Sequence, residues 1–433
     1  MINGKKFGLS LSGGGYRATA YHIGTLRKLR SMGLLDKIDV LSSNSGGSIT
    51  AATYALYWDD YDDFEQRVLS GLKKNTILFT VFSMEVLIGF IILLGLLAGG
   101  LYLILTGQGL FGLIAIVLMI ALIGFAQFGL LPFSLYNAKA YSKFFFGKKH
   151  LKDFTDDFIV CINSTNLETG RLFVFSKDRM GDSTYEYDDG DDPITFKASD
   201  FPVGQAVAAS TAVPGVFTPM RIKKMFYDDP RDISRAKPRL VDGGVYDNQG
   251  LHKLTQRNSK YGCTLIVVSD AGNMMPFEHK YPNALTLLFR TSNVFMNRIK
   301  NLQMIHQMFQ PAGNVKREVA YQSLGFDVQD SIKVFTDSLK QGYIMKDIYE
   351  SHGINEDDIK DKRWDVIETK LKTSIGYEEI LKEMQSPAEL KIARGVGTNL
   401  VPLSDAQVSS LISHASVMTE IQVKLYCPSL TKT

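Results

Sequence analysis

The chain has 433 residues and a formal net charge of +3, with 45% hydrophobic and 21% charged residues. That length builds one large domain or two around a sizeable core, and the near-balanced charge asks for no nucleic acid. The three cysteines, Cys161, Cys263 and Cys427, stand far apart without metal-type spacing, which excludes a disulfide framework and points to a reducing compartment.

Met1 to Lys6 lacks the apolar core of a signal peptide, so the N-terminal half is expected to start in the cytoplasm. Phe7 to Ser12 reads as a buried strand that runs into Gly13-Gly14-Gly15-Tyr16-Arg17, and a helical pattern follows through Tyr21, Ile23, Leu26 and Leu29. Three glycines at a helix start leave their N–H groups uncovered, so they can close on an anion. Neither a Lys-Ser/Thr after the glycines nor a Gly-x-Gly-x-x-Gly spacing is present, so an oxyanion hole fits better than a nucleotide loop.

Ile38 to Leu41 is a second strand-like run, and a helix is predicted from Gly46 to about Trp58. Between them lies Ser43-Asn44-Ser45-Gly46-Gly47. A serine on such a sharp turn is lifted clear of both elements beside the positive end of the helix, which is the arrangement of a nucleophile elbow. A side chain at position 47 would meet a strand as the helix turns back. The usual small-x-Ser-x-small pattern has glycine two residues before the nucleophile, and here Ser43 stands there.

Trp58 to Lys74 is polar and acidic, and then the composition changes abruptly. Val86 to Leu105 is almost wholly apolar, Thr106-Gly107-Gln108-Gly109 breaks the run, and Leu110 to Leu131 is apolar again. Each run approaches the ~20 residues that cross a bilayer, so a transmembrane hairpin is expected. Gly95, Gly99 and Gly100 against Gly112 and Gly124 would let its helices approach closely, and the hairpin could also join copies of the chain. Lys73, Lys74, Lys139, Lys143, Lys148 and Lys149 flank it while the connecting turn is uncharged, which keeps both ends cytoplasmic. Phe144-Phe145-Phe146, with Lys148 and Lys149, is expected to rest in the interface.

Beyond the hairpin, Phe158 to Asn163 and Arg171 to Ser176 read as neighbouring strands. Asp188-Asp189-Gly190-Asp191-Asp192 lacks the spacing of an EF-hand loop and reads as a solvated loop. Phe201 to Val213 looks helical, and Met220 to Pro238 reads as a loop or edge hairpin. Asp242-Gly243-Gly244 follows Leu240 and Val241 as a strand end on a tight turn, suited to presenting a carboxylate. Thr264 to Val268 is a buried strand and Leu285 to Met308 a helix. Later, Val319 to Gln322, Phe326 to Val328 and Ile332 to Phe335 offer short strands, and Ile367 to Met384 and Asp405 to Lys424 helices.

A nucleophile, an oxyanion site and a carboxylate base together mean acyl transfer. In these parts the chain resembles the patatin-like phospholipases, with their Gly-Gly-Gly-x-Arg loop, serine elbow and Asp-Gly-Gly motif. Similar segments are Ala18 to Leu26, Asn163 to Gly170, Ala206 to Pro219 and Asp247-Asn248; Thr398-Asn399-Leu400 resembles the end of the family's catalytic domain. The resemblance implies a three-layer α/β sandwich with a central, mostly parallel sheet, into which the hairpin is inserted. The expected division is residues 1–75, carrying the oxyanion loop and elbow, 76–135 as the hairpin, and 136–433 as the remainder of the catalytic domain.

The resemblance also implies a serine–aspartate dyad: Ser45 as nucleophile, Asp242 as base and then acid, and Gly13, Gly14 and Gly15 as oxyanion donors, with Arg17 anchoring their loop. Read from the residues alone, His252, His279, His306, His352 and His414 lie after Asp242, so a Ser-Asp-His order stays open; His22 reads as packing and His150 as solvated. The expected function is a membrane-anchored lipid acyl hydrolase of the phospholipase A or lysophospholipase type, on the cytoplasmic face, acting on membrane phospholipids without cofactor or metal. A broad esterase or thioesterase, a catalytically silent lipid- or partner-binding protein, and a signal-activated effector that damages its own membrane are the alternatives.

Overall fold

A computed structural model of the chain describes residues 1–2, 4–186, 192–273, 275, 281–306 and 316–431. The first apolar run is the fully buried strand β1 (Phe7–Leu11), which leads through the glycines into α1 (Gly15–Ser31). In the same way β2 (Val40–Asn44) leads through Ser45 into α2 (Gly46–Leu56). The remaining strands are β3 (Ile159–Asn166), β4 (Arg171–Phe175), β5 (Met180–Gly181), β6 (Met220–Arg221), β7 (Arg239–Asp242), β8 (Leu265–Asp270) and β9 (Glu318–Ser323).

All belong to one mixed sheet whose main path runs β5-β4-β3-β2-β1-β8-β9, with β7 pairing both β3 and β6. Pairings from β3 through β2, β1 and β8 to β9 are parallel, and those among β3, β4, β5, β6 and β7 are antiparallel. The central strands are covered on both faces, which is why they read as continuous apolar runs. β3 sets the site: Asn163 pairs with Asn44 at the end of β2, and its neighbour Ser164 pairs with Asp242 at the end of β7. Two sequence-distant strand ends are thereby held side by side.

α1 packs against a long C-terminal helix, Asp405–Tyr426. A Cβ on Gly24 would lie 2.1 Å from the Ile412 carbonyl oxygen, so glycine there lets the two backbones meet. One hydrophobic core runs through both ends of the chain, from Ile2 to Leu430.

Several expected elements differ. The acidic stretch after Trp58 contains α3 (Tyr61–Leu72): Asp60 caps it, and Phe64, Val68 and Leu72 bury one face at helical spacing. Ile332 to Phe335 is not a strand but part of the helix Ser331–Lys340, whose buried Ile332, Phe335 and Leu339 follow a helical period. Phe326 to Val328 likewise forms no strand. The helix expected over Ile367 to Met384 is two, Trp364–Ile375 and Tyr377–Lys382, parted by Gly376 at φ 67°. Asp188 to Asp191 and His279 lie outside the described residues.

The hairpin region consists of α4 (Thr76–Val81), α5 (Met84–Leu105) and α6 (Gly109–Phe125). Of these, α5 alone is long and apolar enough to cross a membrane by itself, and α6 is joined through an 85° bend to the segment Gln127–Phe146. The second apolar run is therefore not one straight helix to Leu131: polar Gln127, Gly129 and Pro132 follow Ala126 and favour the break. α5 and α6 touch at Gly100 and Gly112, where a Cβ on Gly112 would lie 2.4 Å from the Gly100 carbonyl oxygen. Gly95, Gly99 and Gly124 face open space. The aromatic run after the hairpin is also placed differently: Phe145 and Phe146 are buried, and Phe145 fills the space that Gly71 leaves.

Candidate active site

Ser45 has φ 48° and ψ −124°, a conformation that L residues rarely adopt and that persists only where the surroundings impose it. Here its N–H donates to Ser210 Oγ at 2.9 Å, and Thr19 Oγ1 donates to the Gly46 carbonyl at 2.9 Å. A hydroxyl chain continues from Ser210 to Ser48 (2.9 Å) and on to Ser43 (3.1 Å). Ser43 also donates to the Cys161 carbonyl at 3.3 Å, so the serine in the usual glycine place is buried and satisfied. The glycines after Ser45 are sterically required. A Cβ would lie 2.1 Å from the Gly15 oxygen at Gly46, and 2.6 Å from the Leu11 and Ser12 oxygens at Gly47.

The glycine loop lies directly against the elbow, since a Cβ on Gly13 would be 3.0 Å from Ser45 Cβ. Gly14 and Gly15 take φ 145° and 59°, open to glycine alone at little cost. The Gly13 N–H donates to the Asn248 carbonyl at 2.9 Å and is thereby occupied, unlike the expectation that all three glycine amides face substrate. The amides of Gly14 and Gly15 have no acceptor among the described residues. Arg17 donates to the Val396 carbonyl at 3.2 Å, and Tyr16 N–H to the Asn399 carbonyl at 2.8 Å. The start of α1 is thus bonded to the segment Val396–Asn399.

Asp242 accepts from the Gly244 N–H at 2.7 Å, and the Ser45 hydroxyl lies within its reach. Burial raises its pKa to about 6, with the two hydrogen bonds pulling the other way. Behind it, Asp247 accepts from the backbone of His252 (2.7 Å) and Gln249 (3.1 Å), and its carbonyl accepts from Asn44 Nδ2. Asp247 therefore orders the turn.

No described histidine bonds Ser45 or Asp242. His22 is buried between Ser269 Oγ (2.8 Å) and the Ser12 carbonyl (2.9 Å), and burial pushes its pKa down to about 4. His352 bonds Ser374 and the Leu425 carbonyl, His252 bonds Gln256, and His414 is buried beside Tyr21. Sequence reasoning gave no role to Ser210, Ser48, Thr19 and Asn248, which hold the elbow and glycine loop. The available signal was a polar side chain inside an otherwise alanine-rich or apolar helix, such as Ser210 after Ala208 and Ala209.

The sequence matches the profile of the patatin-like phospholipases over residues 9–254, more than half its length and spanning the glycine loop, elbow and aspartate motif. The chain belongs to the patatin-like phospholipase family. It is accordingly a lipid acyl hydrolase, with the family's α/β fold and lipid substrates. No curated protein matches the sequence. Among solved structures it is similar to VipD from Legionella pneumophila, at 12% identity and a TM-score of 0.33 over 90% of this chain and 82% of that one. It is also similar to human GIVD cytosolic phospholipase A2, at 13% identity and a TM-score of 0.48, covering 99% of this chain and 62% of the human one. Both likenesses are distant, and the family assignment rests on the sequence profile.

Proposed function

We propose that this patatin-like phospholipase is anchored in a membrane by the hairpin of residues 76–135 and cleaves phospholipid or lysophospholipid acyl esters through a Ser45–Asp242 dyad. The catalytic unit comprises residues 1–75 and 136–433, on the cytoplasmic side. The observation that carries the dyad is the placing of Ser45, held at positive φ under the glycine loop, beside a buried Asp242 whose pKa it lowers. In the reaction Ser45 Oγ attacks the ester carbonyl while Asp242 takes its proton. The amides of Gly14 and Gly15 stabilise the tetrahedral oxyanion, and Asp242 returns the proton to the leaving alcohol. Water, deprotonated by Asp242, then releases the fatty acid from Ser45.

Membrane anchoring is supported by the surface of α5 and α6. Leu94, Leu101, Tyr102, Phe111, Ile120 and Phe125 are all exposed, an apolar area that water does not tolerate. Both bases of the hairpin are tied to the site. Tyr16, next to the glycine loop, bonds Thr76 Oγ1 at 2.8 Å, and Thr218, in the loop after Ser210, donates to the Leu131 carbonyl at 3.0 Å. A membrane-embedded hairpin would therefore hold the serine near its lipid.

A fluorophosphonate probe tests the nucleophile. It should add one phosphonyl group to the peptide containing Ser45, with labelling lost in Ser45→Ala and slowed in Asp242→Asn. Labelling on another serine would displace the assignment.

A further inference from the structure

The helix Ala284–Met304 has 21 residues, a capping box from Asn283 and Thr286, and no described side chain that is buried. Leu287, Leu288, Val294, Phe295 and Leu302 are 52%, 63%, 47%, 61% and 45% exposed. At ~100° per residue these positions fall on one side of the helix, within an arc of roughly 120°. The helix also carries Arg290, Arg298 and Lys300 and neither aspartate nor glutamate. It attaches to the protein by its other side and its C-terminal end. Lys300 donates to the buried Asp270 at 2.6 Å, and the helix packs along Gly244–Asp247, the turn that follows Asp242.

From this we infer that Ala284–Met304 is a second membrane contact, an interfacial helix that lies on an anionic bilayer surface and brings it to the Asp242 side of the cleft. An apolar stripe that carries an arginine, Arg298, on a helix without acidic residues is the composition of a helix that binds the boundary of anionic lipid headgroups. A second copy of the chain is the poorer occupant, because it would set Arg298, which falls within the stripe, against its own counterpart. The surface is also continuous with the site: Val245, in the turn that the helix contacts, is 37% exposed. The inference rests on the lipid-hydrolase reading and adds to it the surface on which that lipid is met.

The test uses the full chain in nanodiscs of phosphatidylcholine, with or without a fraction of phosphatidylglycerol. Because Cys161, Cys263 and Cys427 are buried, Phe295→Cys can be labelled selectively with a polarity-sensitive fluorophore. Its emission should shift to the blue in the anionic discs and return towards the aqueous value at high salt. Emission that ignores lipid charge overturns the inference, as does a blue shift in detergent that grows with protein concentration, which would mark contact between copies. Phospholipid hydrolysis in anionic discs should fall about five-fold or more in Arg298→Ser, from the ~1 kcal/mol that each surface cation contributes. It should fall further in the combined variant Leu288→Ser, Phe295→Ser, Leu302→Ser, while hydrolysis of a soluble short-chain ester is kept. Equal loss on both substrates would show a structural role and overturn the docking assignment. A wild type silent on both would instead contradict the hydrolase reading, and labelled Ser45→Ala, which still docks on the present account, keeps the two failures apart.

Discussion

The Ser45 hydroxyl lies within reach of the carboxylate of Asp242 and lowers its pKa, and no described histidine bonds either group. In the usual triad an imidazole takes the serine proton; in the proposed dyad the carboxylate would take it, and burial that lifts its pKa to about 6 suits it to that role.

A base works only when ionised. kcat/KM should therefore rise with pH through about 6 and level off above it, the limb belonging to Asp242. A pH profile on a soluble ester, whose own ionisation does not intervene, reads this directly. A rate independent of pH between 5 and 7 would remove Asp242 from the role.

The same shift has a stability counterpart. A carboxyl whose folded pKa lies above its unfolded value favours the protonated form, so its contribution is fully present below about 4 and is lost as pH rises through about 6. Asp242→Asn, a neutral near-isostere, should then be more stable than wild type at pH 7, by at most about 3 kcal/mol for a two-unit shift. The difference should shrink towards zero at pH 4. Thermal melts at the two pH values check both sign and window.

Gly47 admits no side chain, because a Cβ would lie 2.6 Å from two backbone oxygens that end β1. Gly47→Ala should cost about 3 kcal/mol and lower activity with it, since relief would come from moving the elbow helix. Gly95→Ala, which meets nothing within 4 Å, is the control and should change melting little.

Much of the catalytic half was legible because its strands are short apolar runs that end on glycine or serine at the site. Ser45, Asp242 and the glycines each stand at a strand end, where backbone geometry fixes the residue type. Their union was not legible: it depends on Asn163 and Ser164 of β3 pairing with Asn44 and Asp242, a register that no local pattern encodes. The occupied Gly13 amide was hidden for the same reason, as its acceptor, the Asn248 carbonyl, is 235 positions away. Composition misled elsewhere. The acidic surface of α3 masked the buried Phe64, Val68 and Leu72, and Phe145 and Phe146 were read as interfacial from neighbouring lysines although both close the core.

If the hairpin is embedded, the full chain should stay with the membrane pellet through alkaline carbonate extraction, and replacement of residues 84–131 by a short polar linker should release it. Recovery of the intact chain in the carbonate supernatant would reduce the hairpin to a surface feature.

Fatty-acid release from mixed phospholipid vesicles, comparing the full chain with Ser45→Ala and Asp242→Asn, addresses the central claim most directly. The dyad account predicts release by wild type and a loss of roughly 10,000-fold or more in each variant, since residues acting as a unit fail together. Undiminished release by Asp242→Asn, with a histidine variant silent instead, would contradict it.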